Sequence, residues 1–322
     1  MKLNDKINGA LFGMALGDAL GLGTEFMTAA EAKTHYPEGL HNFSQIIRDA
    51  HRAQWRRGDW TNDTELMIVL IESVIRCGKV DFMDIVKEMK VWIDSNPADL
   101  VMLYRLIKKE RDWEFRPKEV TAHIWRERNT DEASNEAIHR ALIAGLLAKD
   151  KNEILKLVKD LVLITHADSR CVSSTAVISL LIYDLFWNDR VTPIEELSDL
   201  AFSIDKRTVP YIEKACNSAD ISALALDDED TFWYTRKAMA SALWSLWHCS
   251  SPAEILDAIV AAGGDADTNA SLSLAIGGMK YGYDALPEIV NDLVQYDRMK
   301  DISVRLTDFM AKEAGRRGVT FS

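Results

Sequence analysis

The amino-acid sequence predicts an all-α protein, with a dozen or more helices in a single large compact domain over residues 1–322. Apolar residues recur at three- and four-residue steps, which is the period of an amphipathic helix. Alternating strand patterns with Asn-Gly or Asp-Gly turns are not evident. No internal repeat, low-complexity tract or Gly/Ser linker divides the chain. The clearest apolar stripe comprises Leu66, Met67, Leu70, Ile71, Val74 and Ile75.

Prolines mark the points where several helices should begin. Thr192-Pro193-Ile194-Glu195 and Ser251-Pro252-Ala253-Glu254 each combine a cap residue, a proline for the first helical position and an acidic residue near the positive end of the helix dipole. We therefore expect Thr192 and Ser251 to cap helices. Further apolar stripes predict helices near residues 137–146, 155–165, 174–187, 236–247 and 299–310.

The composition is that of a soluble globular protein, with 48% hydrophobic and 27% charged residues. Lysine and arginine total 38 against 50 aspartates and glutamates, a net charge of −12. This charge gives no electrostatic reason for non-specific binding to nucleic acid or anionic lipid, because both are polyanions. No apolar run reaches the ~18 residues of a membrane span, and the first residues lack the apolar region of a signal peptide. The four cysteines are widely spaced and form no C-x-x-C pair, which favours a cytoplasmic location over a disulfide scaffold or a zinc site.

Four glycines recur every four residues on one face of a helix expected over residues 7–20: Gly9, Gly13, Gly17 and Gly21. Each costs about 0.5–1 kcal/mol relative to alanine, so the run needs a compensating role. Close packing of a second backbone and passage beside a ligand are both compatible with it. Asp18 lies on the apolar stripe of the same helix. It requires a partner if it is buried, and it could equally be exposed in the last turn.

Three short segments concentrate oxygen-bearing side chains: RGDWTNDTE (residues 57–65), THADSR (165–170) and GGDADTNAS (263–271). Helix capping explains any one such segment. It explains GGDADTNAS less well, because two carboxylates two residues apart repel each other unless a cation lies between them. Hard divalent cations take carboxylate, hydroxyl and carbonyl oxygens as ligands, so two helix starts of this kind could hold one or two Mg²⁺ or Mn²⁺ ions. The acidic run 227–230 is expected to be a solvated loop, or else to contribute to the cation-binding cleft.

The order of the motifs resembles the ADP-ribosylglycohydrolase family, which includes hydrolases of ADP-ribosylarginine and ADP-ribosylserine. The matching stretches are GALFGMALGDALGLGTEF (9–26), GDWTNDT (58–64), SNEAIHRA (134–141), THADSR (165–170) and GGDADTNASLSLAIGGMKYG (263–282). The last stretch is highly specific, the first moderately so, and the middle ones are weak when taken alone. The resemblance runs from about residue 7 to beyond residue 285.

The resemblance implies a compact all-α fold with a centre of two Mg²⁺ ions, or Mn²⁺ as the alternative, at the bottom of a cleft. Glu25 and Asp63 are the implied catalytic residues, and Asp267 is the implied bridging ligand. The implied metal ligands are Thr61, Asn62, Asp63, Asp265, Asp267 and Thr268, and the implied residues for binding ADP-ribose are Ser134, Asn135 and His166. Taken without the resemblance, His166 would be assigned to a core or cap position.

Two residues depart from the family pattern. Asn62 stands where the family usually has an aspartate, so one negative charge is lost and metal binding should be weaker. Glu136 stands where a glycine is usual, and its carboxylate could crowd or repel the diphosphate of the ligand.

The implied function is Mg²⁺-dependent hydrolysis of the bond between C1″ of ADP-ribose and a modified protein side chain, with arginine expected first. Serine-linked or small-molecule ADP-ribosides are alternative substrates. A second hypothesis is a weakened binding protein that neutralises an ADP-ribosyltransferase or toxin, or senses ADP-ribose. The expected partners are thus an ADP-ribosylated protein, ADP-ribose or an ADP-ribosyltransferase, and neither nucleic acid nor membrane.

Overall fold

The computed structural model describes residues 1–98, 100–128 and 133–321, and within these ranges it contains fifteen α-helices and no strand beyond two isolated β-bridges. The all-α prediction is confirmed. The helices are Leu3–Gly21 (α1), Ala29–His35 (α2), Asn62–Cys77 (α3), Phe82–Asp94 (α4), Met102–Lys109 (α5), Pro117–Glu127 (α6), Ala141–Leu147 (α7), Lys151–Val162 (α8), Ser169–Trp187 (α9), Ile194–Ile204 (α10), Val209–Asn217 (α11), Thr235–His248 (α12), Pro252–Ala262 (α13), Ala266–Tyr281 (α14) and Tyr296–Arg317 (α15).

Residue contacts divide the chain into two compact units. Unit 1 comprises Met1–Thr64, Glu213–Trp233 and Ala240–Ser322, and unit 2 comprises Glu65–Ile212 and Tyr234–Met239. The expectation that residues 1–322 form one domain stays a prediction.

Unit 1 is organised around the contact between α1 and α14. A Cβ atom placed on Gly9, Gly13, Gly17 or Gly21 would lie between 2.1 and 2.5 Å from a backbone carbonyl oxygen of α14, closer than real Cβ atoms approach. The glycine run therefore allows two backbones to touch, and the packing interpretation is confirmed. At the last of these positions an added Cβ would also lie 2.5 Å from Cα of Asp267. The close approach thus extends to the segment that carries the predicted metal ligands.

Unit 2 is organised around α9, which contacts α7, α8 and α10. This helix is long and apolar enough to cross a membrane by length and composition, but 89% of its most apolar window is buried within the protein. A buried apolar helix is what the core of a globular unit requires.

The other predicted helical segments are found at α3, α8, α12 and α15, and residues 138–147 form a short 3₁₀ turn followed by α7.

The two predicted proline caps have different outcomes. Ser251 caps α13, since its side chain accepts a hydrogen bond from the amide of Glu254, and this prediction is confirmed. The prediction for Thr192 is wrong. Its hydroxyl donates to the buried Asp184 carboxylate, at 2.9 Å, and α10 begins at Ile194 without a side-chain cap. The Thr192 hydroxyl therefore binds the buried Asp184 carboxylate of α9, and no amide at the start of α10 is capped by it.

Candidate active site

The start of α3 is held by a carboxylate from α1. Asp18 is fully buried and accepts hydrogen bonds from the amide of Thr61 at 2.9 Å and from the amide and hydroxyl of Thr64 at 3.0 and 2.6 Å. The first amides of a helix have no partner within the helix, so this carboxylate acts as a cap supplied from elsewhere in the chain. Burial raises the pKa of Asp18, and these hydrogen bonds oppose the rise. A buried Asp18 was expected to need a partner. Its partners are Thr61 and Thr64, in the segment that contains the first three predicted metal ligands.

Three buried carboxylates meet in unit 1. Glu25, Asp265 and Asp267 each offer an oxygen, and these three oxygens lie within 4.8 Å of one another. The loop after α1 supplies Glu25, and the start of α14 supplies the two aspartates. These residues are about 240 positions apart in the sequence, and the α1–α14 contact brings them together.

The other predicted metal ligands surround this cluster. The Thr61 hydroxyl lies 3.4 Å from a carboxylate oxygen of Asp267 and 3.4 Å from the side-chain oxygen of Asn62. The Thr268 hydroxyl donates to Asp63 at 2.8 Å. All six residues are buried. The structure therefore brings together the six predicted ligands and Glu25, while their roles stay predictions.

The cluster carries excess negative charge. Burial raises the pKa of Asp267 well above its ordinary value, and the neighbouring carboxylates of Glu25, Asp265 and Asp63 raise it further. Burial also raises the pKa of Glu25, against the lowering effect of a hydrogen bond with His51. Several carboxylates can stay ionised in such a place only when positive charge compensates them.

The donor set fits divalent cations that prefer oxygen ligands. It consists of carboxylates, threonine hydroxyls and an asparagine amide, without a cysteine or histidine among the six predicted ligands. Mg²⁺ and Mn²⁺ prefer such ligands, whereas zinc sites are usually built from cysteine and histidine. The geometric observation that fits a cation here is the approach of the Glu25, Asp265 and Asp267 oxygens to within 4.8 Å of one another.

The loop that carries Glu25 is fixed by its backbone. The amide of Phe26 donates to the Gly264 carbonyl at 2.7 Å, and the amide of Gly264 donates to the Met27 carbonyl at 2.7 Å. Gly264 has φ 71°, and a Cβ atom on it would lie 2.1 Å from the carbonyl oxygen of Leu226, so only glycine fits. The glycine pair of the GGDADTNAS motif therefore ties the Glu25 loop to the start of α14.

Two residues of this loop environment were not identified from the sequence. His51 Nε2 lies 2.6 Å from a Glu25 carboxylate oxygen, and Arg52 donates to the backbone carbonyls of Gly23, at 3.1 Å, and of Glu25. Neither belongs to a motif, and the contacts span 26–29 residues of sequence. No local pattern could have indicated them.

Unit 2 contains the residues predicted to bind ADP-ribose. His166 is buried, and its Nε2 lies 2.9 Å from a carboxylate oxygen of Glu136 and 3.1 Å from the Ser134 hydroxyl. Its Nδ1 lies 2.7 Å from the hydroxyl of Thr165. Asn135 is also buried. Glu136, the second departure from the family pattern, thus contacts His166, one of the three residues predicted to bind the ligand.

Burial and mutual contact shift the pKa values of Glu136 and His166. Burial raises the pKa of Glu136, but hydrogen bonds from His166 and Ser134 outweigh it, and the net pKa is lowered. Burial lowers the pKa of His166 and outweighs the opposing effect of Glu136. Ser134, Thr165 and His166 also line a cavity of about 40 Å³ in unit 2, together with Leu103, Thr121, Ile124, Trp125, Arg128, Ala167, Asp168 and Cys171.

The sequence model of the family described as ADP-ribosylglycohydrolase matches residues 1–316. The chain belongs to the ADP-ribosylglycohydrolase family. It is therefore a member of a family of hydrolases, and its all-α fold agrees with a solved structure described as an ADP-ribosylglycohydrolase-related protein complex. That structure matches with a TM-score of 0.71 and 22% identity over 96% of this chain and 99% of the other.

Two curated relatives are similar to this ADP-ribosylglycohydrolase. ADP-ribosylarginine hydrolase Tri1 of Serratia proteamaculans is 24% identical over 96% of this chain and 80% of its own length. ADP-ribosyl-[dinitrogen reductase] glycohydrolase of Rhodospirillum rubrum is 37% identical over 101 residues, which are 30% of this chain and 32% of that enzyme. The second similarity is therefore confined to about a third of either protein.

Proposed function

We propose that the chain is a Mg²⁺-dependent hydrolase that removes ADP-ribose from modified arginine side chains by attack of water at C1″ of the ribose. The observation that carries the proposal is the buried cluster of Glu25, Asp265 and Asp267 in a chain of this family. The similarity to the Serratia ADP-ribosylarginine hydrolase supports arginine as the modified residue.

Thr61, Asn62, Asp63, Asp265, Asp267 and Thr268 would hold the cations, with Mn²⁺ as the alternative to Mg²⁺. When bound, the cations supply Lewis acidity and offset the charge of the carboxylates. The hydroxyl groups of Thr61 and Thr268 already lie against carboxylates of this set, so the chain orients the ligand oxygens by itself.

Glu25 is the residue that we assign to proton transfer. A general base works best when its pKa approaches the working pH, and burial moves the pKa of Glu25 in that direction. His51 fixes the position of the carboxylate through the 2.6 Å contact, and Arg52 fixes the backbone on either side. In this role Glu25 accepts the proton of the attacking water, and Asp63 is the second candidate for the same task.

The remaining carboxylates stabilise the transition state. The C1″–N bond breaks with its electron pair staying on the guanidine, and positive charge develops on the ribose as in glycoside hydrolysis generally. Fixed negative groups in a buried place stabilise such charge more strongly than water does. Asp265 belongs to the cluster and Asp63 lies near Asp267, and both are buried.

The test offers peptides that carry ADP-ribosyl-arginine or ADP-ribosyl-serine to the protein with Mg²⁺. We expect ADP-ribose release from the arginine peptide and a large loss of turnover in Glu25→Ala and in Asp267→Ala. Asp308→Asn, at an exposed aspartate of α15, is the matched control and should keep full activity. Unchanged turnover in both cluster variants would show that the assignment is wrong, and release from neither peptide would exclude both linkages.

A second candidate function is supported by the contact of Glu136 with His166. A carboxylate already occupies the residues expected to receive ADP-ribose, which favours a protein that binds its partner with weakened catalysis. Asn62→Asp and calorimetry separate the two functions. Faster release and tighter Mg²⁺ binding in the variant support a hydrolase, whereas ADP-ribose binding with no metal-dependent release in either protein supports a binding role.

A further inference from the structure

Aromatic side chains cluster beside Glu25 in unit 1. The ring of Phe26, the next residue in the chain, lies 5.1 Å from the His51 ring and 5.4 Å from the Phe232 ring, measured between centroids. The His51 ring lies 5.3 Å from Trp55, and Phe232 lies 4.8 Å from Trp233. We call these five residues the aromatic wall.

The central residue of the wall is held in an unusual conformation. Phe26 has φ 61°, which is rare for a bulky residue and costs on the order of 1–3 kcal/mol unless the surroundings impose it. The hydrogen bond from its amide to Gly264 imposes it here. The residue is nevertheless 53% exposed, so burial of the ring does not explain why the strain persists. Strained residues of this kind cluster at ligand-binding positions.

The wall is continuous with the proposed reaction centre. His51 contacts the Phe26 ring with its imidazole and the Glu25 carboxylate with its Nε2. Glu25 itself is buried, whereas Phe26 is exposed. In the proposed reaction the modified arginine side chain is attached to C1″ near Glu25. Because this side chain belongs to a polypeptide, it must extend from that point towards solvent. Phe26 and His51 are the exposed and half-buried side chains next to that point.

Negative charge precedes the aromatic wall in the sequence. Asp228, Glu229 and Asp230 are exposed and precede Phe232 by two to four residues. Asp227 is engaged with the first amide of α2 at 2.9 Å, which holds the segment in place. Aromatic faces attract cations, and guanidinium groups stack on them most readily. An aromatic surface whose chain continues into exposed carboxylates is therefore complementary to a planar cation in a basic polypeptide and gives no advantage to a neutral serine oxygen.

We propose that the aromatic wall binds the guanidinium group of an ADP-ribosylated arginine and that Phe26 is the residue that favours arginine over serine linkages. The inference rests on the proposed function, because it places the leaving group next to Glu25. It adds the residues that distinguish an arginine linkage from a serine linkage. The proposed metal centre alone does not distinguish these two linkages.

The test measures affinity, so that it does not depend on turnover. ADP-ribosyl-arginine and ADP-ribosyl-serine peptides are titrated by calorimetry into the Glu25→Gln protein with Mg²⁺, a background in which the amide can still contact His51. We expect tighter binding of the arginine peptide. Adding Phe26→Leu should weaken that binding about 2- to 5-fold, with little change for the serine peptide or free ADP-ribose. Phe26→Tyr keeps the aromatic face and should keep the preference.

Phe202→Leu is the matched control, since Phe202 is 67% exposed on α10 in unit 2, and it should leave all affinities unchanged. Equal affinity for the two peptides before Phe26 is changed, or an equal loss for both after the change, overturns the proposal. Absence of binding by the arginine peptide also overturns it. Failure of the proposed function is recognised separately, by the absence of ADP-ribose release from the arginine peptide by the wild-type protein.

Discussion

The carboxylate of Asp18 accepts both the backbone amide and the hydroxyl of Thr64, across 46 residues of sequence. A third hydrogen bond from the Thr61 amide completes the set. The first residues of α3, which include Asn62 and Asp63, are therefore positioned by α1 and do not depend on a local cap. Stability and metal binding should accordingly be linked at this residue.

Replacing Asp18 with alanine should destabilise the protein and weaken Mg²⁺ binding together. The amides of Thr61 and Thr64 would lose a buried partner, at a cost of about 1–3 kcal/mol. Urea denaturation measures the free energy of unfolding, and calorimetry measures the metal affinity. Asp308→Asn serves as control, and an unchanged Mg²⁺ affinity in Asp18→Ala would contradict the link.

Two glycine-to-alanine substitutions should have opposite effects on stability. A Cβ atom at Gly17 would lie 2.3 Å from the Ala270 carbonyl oxygen, so Gly17→Ala should cost about 1–3 kcal/mol through overpacking. Gly315 in α15 has no atom within 4 Å of a Cβ position, so Gly315→Ala should add about 0.5–1 kcal/mol through helix propensity. Thermal unfolding of both variants is the measurement. Equal effects would mean that α1 and α14 are not in backbone contact.

Neutralising Asp267 should stabilise the metal-free protein while removing its response to Mg²⁺. In Asp267→Asn the side-chain carbonyl oxygen can still accept from the Thr268 amide, and the repulsion from Glu25 and Asp265 is relieved. In EDTA we expect a higher Tm, by about 1.5 °C for each kcal/mol of repulsion removed. We expect Mg²⁺ to raise the Tm of the wild-type protein, and to raise that of the variant less or not at all. A lower Tm in EDTA would show that the carboxylates do not repel one another.

The same repulsion predicts a specific pH dependence. The folded-state pKa values of Asp267 and Glu25 are raised, so the metal-free folded protein binds more protons than the unfolded chain above about pH 4. The contribution of these groups to stability is therefore fully present below that pH and is lost as the pH rises through their raised pKa values. In EDTA, the Tm difference between Asp267→Asn and the wild type should grow from pH 4 towards pH 7. A difference that is constant over this range would contradict the raised pKa of Asp267.

Replacing Glu136 with glutamine should strengthen the binding of ADP-ribose. The lowered pKa of Glu136 keeps its carboxylate ionised beside Ser134 and His166, where it would repel a diphosphate. Removing the charge should raise the affinity by about fivefold or more in calorimetry. Glu119→Gln, at an exposed glutamate of α6, is the matched control. Weaker binding in Glu136→Gln would show that Glu136 helps to receive the ligand.

The sequence predicted the helical class and most helices because their apolar periods are local, as in the stripe from Leu66 to Val74 that is buried in α3. It also indicated two segments rich in oxygen-bearing side chains, which the structure brings together, while their role as metal ligands stays a prediction. It could not predict contacts that depend on the folded chain. Thr192 fits the local pattern of a cap and instead binds Asp184, and no pattern indicated that His51 contacts Glu25. The sequence indicated that Glu136 was unusual, but its partnership with His166 is visible only in three dimensions.

The four glycine contacts between α1 and α14 have a consequence for insertions and deletions. Each residue of an α-helix turns the following ones by about 100° and advances them by about 1.5 Å. Adding or removing one residue between Gly9 and Gly21 would rotate the glycines on one side of the change away from α14. Larger side chains would then point at the α14 backbone in their place. The change would also rotate the Glu25 loop relative to Asp267. Length variation in this part of the protein should therefore be confined to the loops, and the spacing of the glycines sets the register of the site.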